Sequence, residues 1–254
     1  MAEKKLSDFS VLEKFEFERK PVGVKFSVTR PEGISRIRKE LNFCEMLKEA
    51  QEGNAFYVAP EDWVCVGVEQ MILGMENPEP ALVSGVFGGE EGLFKGANAC
   101  RAMYDYLPRM QKGSVKYVAF APIDKLTFEP DLVVITANIN QAQTVLRSVN
   151  YSTGLPFTSR MTPVVACAWI YVYPIVSGEL NYIITGLGLG MQALNIFPPG
   201  LFLISVPFQR IPMMLENLKE MPYRSTPAPG PGGVAHRKRV NKMLADMRKK
   251  IKEE

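Results

Sequence analysis

Histidine is almost absent from this chain of 254 residues: His236 is the only one, and it stands beside Arg237-Lys238-Arg239 after a run of prolines and glycines. A folded body without histidine cannot build a Ser-His-Asp or Cys-His nucleophile, nor a histidine-based zinc or non-haem iron site. No G-x-x-x-x-G-K-[ST] phosphate loop occurs. Long apolar runs are missing as well. A bilayer-spanning helix needs roughly 18 apolar residues, and the longest candidate, 164–176, is interrupted by Pro174. The first residues, Met1-Ala2-Glu3-Lys4-Lys5, lack the apolar stretch of a secretory leader, so a cytoplasmic protein is expected. Cysteine is scarce and scattered, at positions 44, 65, 100 and 167 with no C-x-x-C. That pattern does not predict a disulfide framework.

What is present is ordinary globular material, with 46% hydrophobic and 22% charged residues, enough to bury a substantial core. The net charge of +3 is concentrated at one end. Residues 237–254 carry eight Lys/Arg against three Asp/Glu, a local +5 that leaves the rest at −2. A nucleic-acid binder needs basic residues spread over a folded face. The body does not supply them, so nucleic acid is not an expected partner.

The pattern along the chain alternates between strand and helix signals. Residues 1–20 read as an amphipathic helix ended by Pro21, followed by a strand at 22–28. Helices are expected at 35–51, 63–74, 97–110, 140–150, 163–176 and 209–221, and strands at 55–59, 115–122, 132–137, 180–185 and 200–206. The glycine-rich stretch 83–96 reads as a loop or hairpin. This order predicts an α/β fold, or mixed α+β. A pattern appears twice, at 44–67 and 167–188: a cysteine, an apolar element, a turn and a strand, then a glycine. It predicts one globular domain over 1–222, built from two related half-units at about 21–112 and 113–222 around mixed sheets. Residues 223–236 read as a flexible Pro/Gly linker. Residues 237–254 read as a basic helix with Val240, Met243, Leu244, Met247 and Ile251 along one side. That stripe fits docking on the body, a homo-oligomer formed through this helix, or an anionic surface.

The candidate site follows from the repeat. Cys44, Cys65 and Cys167 are candidate metal ligands if the half-units pack symmetrically. Thiolates suit an iron–sulfur cluster, zinc or an axial position on a tetrapyrrole, and the same thiols also read as core residues. Cys65, placed at a helix N-terminus, is expected to have a lowered pKa. Gly67, Gly186, Gly188, Gly190 and Met191 are candidate cofactor-binding positions, since glycines let a flat ligand approach the backbone. Gly188, Gly190 and Ala193 match a G-x-G-x-x-A loop, but no acid lies about 20 positions on. Asn138 and Gln141 follow the most apolar strand, where α/β proteins bind ligands; Asn138 also reads as a helix cap. The function expected is binding of a small molecule or metal-containing cofactor, such as a tetrapyrrole. The alternative is a redox enzyme using a thiolate or a cysteine-ligated iron–sulfur cluster.

Several short segments together resemble the uncharacterised prokaryotic family called domain of unknown function 169. They are Pro21-Val22-Gly23-Val24-Lys25, Cys44, Cys65-Val66-Gly67, Ala121-Pro122 with Phe128-Glu129-Pro130-Asp131, Asn138-Ile139-Asn140-Gln141-Ala142, Tyr151 with Gly154, Ala166-Cys167-Ala168 and Val206-Pro207-Phe208. The resemblance covers roughly 18–221 and implies a fold and a site position, with no reaction attached. The family's further C-x-G-x-R is replaced here by Gly186-Leu187-Gly188-Leu189-Gly190, without the cysteine or the arginine.

Overall fold

Seven strands share one sheet. They are β1 (Val22–Ser27), β2 (Ser35–Arg36), β3 (Phe56–Val58), β4 (Tyr117–Pro122), β5 (Leu132–Ala137), β6 (Asn181–Ile184) and β7 (Phe202–Pro207). Their order is β2-β3-β4-β1-β5-β7-β6. The β2–β3 pair is parallel and the others are antiparallel, so the fold is mixed α+β. This computed structural model describes residues 7–65, 68–221 and 234–253. The chain divides into two units, Met1–Met221 and Pro222–Glu254. β4 lies between β3 and β1, so the segments 21–112 and 113–222 contribute interleaved strands to the same sheet.

The sheet is covered on both faces. β5 is buried along its whole length, and its alternation sorts side chains between two cores. Leu132 and Val134 join one cluster with Phe43, Met46 and Leu47 of α1 (Phe43–Gln51) and Met71 and Ile72 of α2 (Val68–Ile72). Val133, Ile135 and Ala137 join the other, with α6 (Ile139–Tyr151) and α9 (Ile211–Glu220). Each fully buried aliphatic side chain stabilises the fold by roughly 1.5–3 kcal/mol. The candidate site lies on the first face.

Several elements differ from expectation, each for a local reason. The helix expected at 35–51 begins only at Phe43. Ser35 and Arg36 pair with β3 instead, and Arg36 grips the buried Asp62 through Nε and Nη2, both at 2.8 Å. Asn42 then caps α1 in a capping box with Glu45. Within the expected helix 1–20, the described residues 7–20 hold a 3-10 helix, Ser10–Phe15, ended by Glu16 at φ 47°. Among the described residues of 63–74 only Val68–Ile72 is helical, and Cys65 stands before it in a bend.

The stretch 83–96 is not a loop: α3 (Pro80–Val83) and α4 (Val86–Glu90) precede α5 (Ala97–Tyr106). Its glycines serve close packing. A Cβ on Gly89 would lie 2.6 Å from the Ala97 nitrogen, and one on Gly88 would lie 2.5 Å from Cys100 Sγ. The apolar helix expected at 163–176 contains a π turn, Ala168–Val172, before α7 (Tyr173–Ser177). Pro174 has no N–H to give the preceding turn, and a π turn is one way a helix absorbs that loss. α8 (Leu189–Leu194) follows β6. In the second unit the basic helix is α10 (Val234–Glu253); of the expected linker 223–236, residues 223–233 fall outside the described residues and 234–236 belong to this helix.

Candidate functional site

A cavity of about 610 Å³ opens on the first face of the sheet. All four cysteines line it. Each arrives from a different element: Cys44 in the first turn of α1, Cys65 from the bend before α2, Cys100 from α5 and Cys167 from the turn preceding the π segment. Leu82, Phe87, Phe94, Val164, Met191 and Leu194 supply apolar wall, and Tyr104 a phenol. Among the described residues lining it there is no lysine, arginine or histidine.

Glu69 is the polar centre of this wall. It lines the cavity from α2, yet only 3% of its surface is exposed. Its Oε1 accepts the Phe43 N–H at 2.8 Å, at the start of α1. Its Oε2 has no partner among the described residues. An unpaired buried carboxylate is costly, so the proton is retained instead. Burial pushes the Glu69 carboxyl up to about 8, with Glu45 adding to the effect and the Phe43 hydrogen bond opposing it.

The thiols respond to the same surroundings. Burial, then the proximity of Glu69, pushes Cys65 up to about 12. Burial also raises Cys44, with Glu69, Cys65 and Glu45 contributing. Cys167 is raised strongly by burial, with Glu69, Cys65 and Cys44 contributing. Cys44, Cys65, Cys167 and Glu69 therefore act on one another as neighbours, and all are held neutral near pH 7. The expectation of a lowered Cys65 pKa is reversed, because Cys65 precedes the helix and sits in an apolar wall beside an acid. Among the described residues, no three His, Cys, Asp or Glu side chains are placed to hold a metal ion. Cys44, Cys65 and Cys167 thus share a cavity without forming a ready ligand set for a bare ion.

The backbone is unusual at the same wall. Val165 has φ 56°, a left-handed conformation that is an outlier for a β-branched residue. Such strain costs on the order of 1–3 kcal/mol and clusters at functional sites. The π turn begins three residues later, and π turns concentrate at functional sites too.

The other expected positions divide. Gly188, Gly190 and Met191 line the cavity. A Cβ on Gly190 would meet no atom within 4 Å, so this exposed glycine borders open space. Gly186 is not part of the lining; at φ 90° it packs on Pro199, whose Cβ would be 2.7 Å from an added Cβ. Asn138 and Gln141 are not part of it either. They form the capping box of α6, and Gln141 Nε2 donates to the Phe15 carbonyl at 2.8 Å, tying the 3-10 helix to the sheet's second face. Gly67 lies outside the described residues. Sequence reasoning passed over Cys100, Tyr104 and Glu69 as site residues. Glu69 carried a signal, as the one charged residue in the apolar run 64–75.

Among the described residues no helix is long and apolar enough to cross a membrane. No curated protein and no solved structure matches the chain. The family described as uncharacterised ArCR, domain of unknown function 169, matches residues 11–217, which takes in both halves of the sheet and every wall of the cavity. The chain belongs to this family.

Proposed function

We propose that the chain is a binding protein whose cavity takes a small apolar molecule, or a metal-containing cofactor with an apolar rim such as a tetrapyrrole. One observation carries the proposal: about 610 Å³ of space walled by apolar side chains and neutral thiols, around a single buried carboxyl with an unused oxygen. Organic-ligand sites have this size and this ratio of apolar wall to few polar groups. The strained Val165 and the π turn at the same wall support the reading, since strain of this kind persists where surrounding structure enforces it. A ligand that buries an anionic group is disfavoured, because the described residues of the wall offer no base to pair with it. The redox-enzyme reading is second. A Cys65 nucleophile needs its thiolate, and burial together with Glu69 opposes that form.

The test is a fluorescence titration of the purified protein with N-phenyl-1-naphthylamine, a neutral apolar dye, beside the absorption spectrum and metal content of anaerobically prepared protein. Saturable binding at one site per chain is expected. Dye emission that rises without saturation would contradict the proposal. A featureless visible spectrum with no metal would remove the cofactor version and leave a colourless organic ligand.

A further inference from the structure

We propose that Glu69 receives the basic nitrogen of an apolar amine, so that the ligand of this cavity is an organic cation with an apolar body. The inference rests on the binding reading above and narrows it to a ligand class. Its starting point is a missing partner. Buried carboxyl groups in folded proteins are paired or fully hydrogen-bonded, whereas Glu69, 3% exposed, leaves Oε2 without a donor among the described residues. The strong donors at the start of α1 are already used. The Phe43 N–H serves Oε1, and the Asn42 N–H and side-chain amide serve Glu45.

The rest of the wall agrees in sign. Every ionisable group lining the cavity among the described residues is an acid: Glu69, Glu79, Tyr104 and the thiols. None of these groups can become positive, so an anion finds no partner in this wall, whereas a cation finds a carboxyl that can give up its proton. Phe87, Phe94 and Tyr104 also line it, and aromatic faces attract ammonium groups when water is excluded. Glu69 holds its proton and Oε2 is sealed in the cavity wall, so binding would turn the carboxyl toward the cavity and release its proton to solvent. The ammonium would then donate to the carboxylate in a charge-assisted hydrogen bond, the strong kind, while its apolar body would fill the space beside Met191 and Leu82. A neutral acceptor such as an alcohol or ketone could only meet the protonated carboxyl, forming a weaker neutral bond.

Calorimetric titration with three probes of one shape separates these cases: 1-naphthylmethylamine, 1-naphthylmethanol and 1-naphthoate. The expected result on the wild-type chain is an amine affinity at least tenfold above the alcohol, with no measurable naphthoate binding. Glu69→Gln and Glu69→Met should each erase the difference between amine and alcohol. Methionine removes the acid and demands no partner, so it keeps the comparison available if the glutamine variant does not fold. Gly190→Trp, which places a large ring in open space at the cavity, should abolish binding of both amine and alcohol. If the alcohol binds as tightly as the amine, or the preference survives in both Glu69 variants, the amine proposal is overturned while the cavity reading stands. If no probe binds, or Gly190→Trp changes nothing, both fall.

Discussion

Replacing Glu69 by glutamine should flatten the pH dependence of stability in the neutral range. The folded carboxyl keeps its proton up to about 8, against an ordinary value of 4.5. Between those values the folded state holds a proton that the unfolded chain has released. Stability is therefore fully present below 4.5 and is lost as pH rises toward 8. One proton is worth about 1.4 kcal/mol per pH unit, so between pH 5.5 and 7.5 the wild type should lose about 2–3 kcal/mol through this group. The groups acting on Glu69 are Glu45, Cys44, Cys65 and Cys167. The thiols titrate far above this window, and the only histidine, His236, belongs to the second unit. Any other proton that titrates in the window is common to wild type and Glu69→Gln, so the difference between them isolates Glu69. Trp63 and Trp169, the two tryptophans, both pack in or against the core of the sheet's first face, so urea melts followed by their fluorescence at pH 5.5, 6.5 and 7.5 read the effect. The wild-type free energy should fall across the series while that of Glu69→Gln stays level. Parallel curves for the two proteins would refute a protonated, buried Glu69 and remove the basis of its proposed role.

Gly89→Ala should destabilise the first unit by about 1–3 kcal/mol, lowering its urea midpoint, because the added Cβ would sit 2.6 Å from the Ala97 nitrogen and 2.8 Å from the Gly96 carbonyl carbon, backbone atoms with nowhere to go. Gln141→Ala removes the acceptor for the Asn138 N–H and the donor to the Phe15 carbonyl. It should cost about 1–2 kcal/mol and leave dye binding unchanged, whereas loss of dye binding would place Gln141 in the site after all. Iodoacetamide at pH 8 should label the four cysteines slowly in the native chain and rapidly in urea, since the reactive thiolate is suppressed by burial. Fast native labelling of Cys65, read by peptide mass spectrometry, would revive the redox reading.

Three strands were legible in the sequence, 22–28 by its alternation and 115–122 and 132–137 by their apolar runs; they are found as Val22–Ser27, Tyr117–Pro122 and Leu132–Ala137. A strand buried on both faces needs only apolar residues of the right length, and these signals are local. The errors came from long-range partners. Ser35 and Arg36 sit in a helical pattern, but Asp62, 26 residues away, holds Arg36 in an extended strand. The glycines at 85, 88 and 89 look like loop residues, yet their function is to let α4 approach α5. At the site, cysteine and glycine positions can be picked out from a repeat. The lack of a partner for Glu69 Oε2 among the described residues cannot, because it depends on what α1, α5 and the π segment bring to the cavity, and on what they do not bring. The capping role of Asn138 was visible in its own spacing, while the reach of Gln141 to Phe15 was not.

The central claim is that the cavity holds a ligand. The most direct measurement is native mass spectrometry of the full chain, expressed and purified under gentle anaerobic conditions, beside Gly190→Trp prepared identically. The account predicts a mass increment on the wild type equal to one small molecule per chain, released on denaturation and absent from Gly190→Trp, whose fold should otherwise match by circular dichroism. A wild-type mass equal to the bare polypeptide, together with no saturable uptake of the apolar dye, would contradict it.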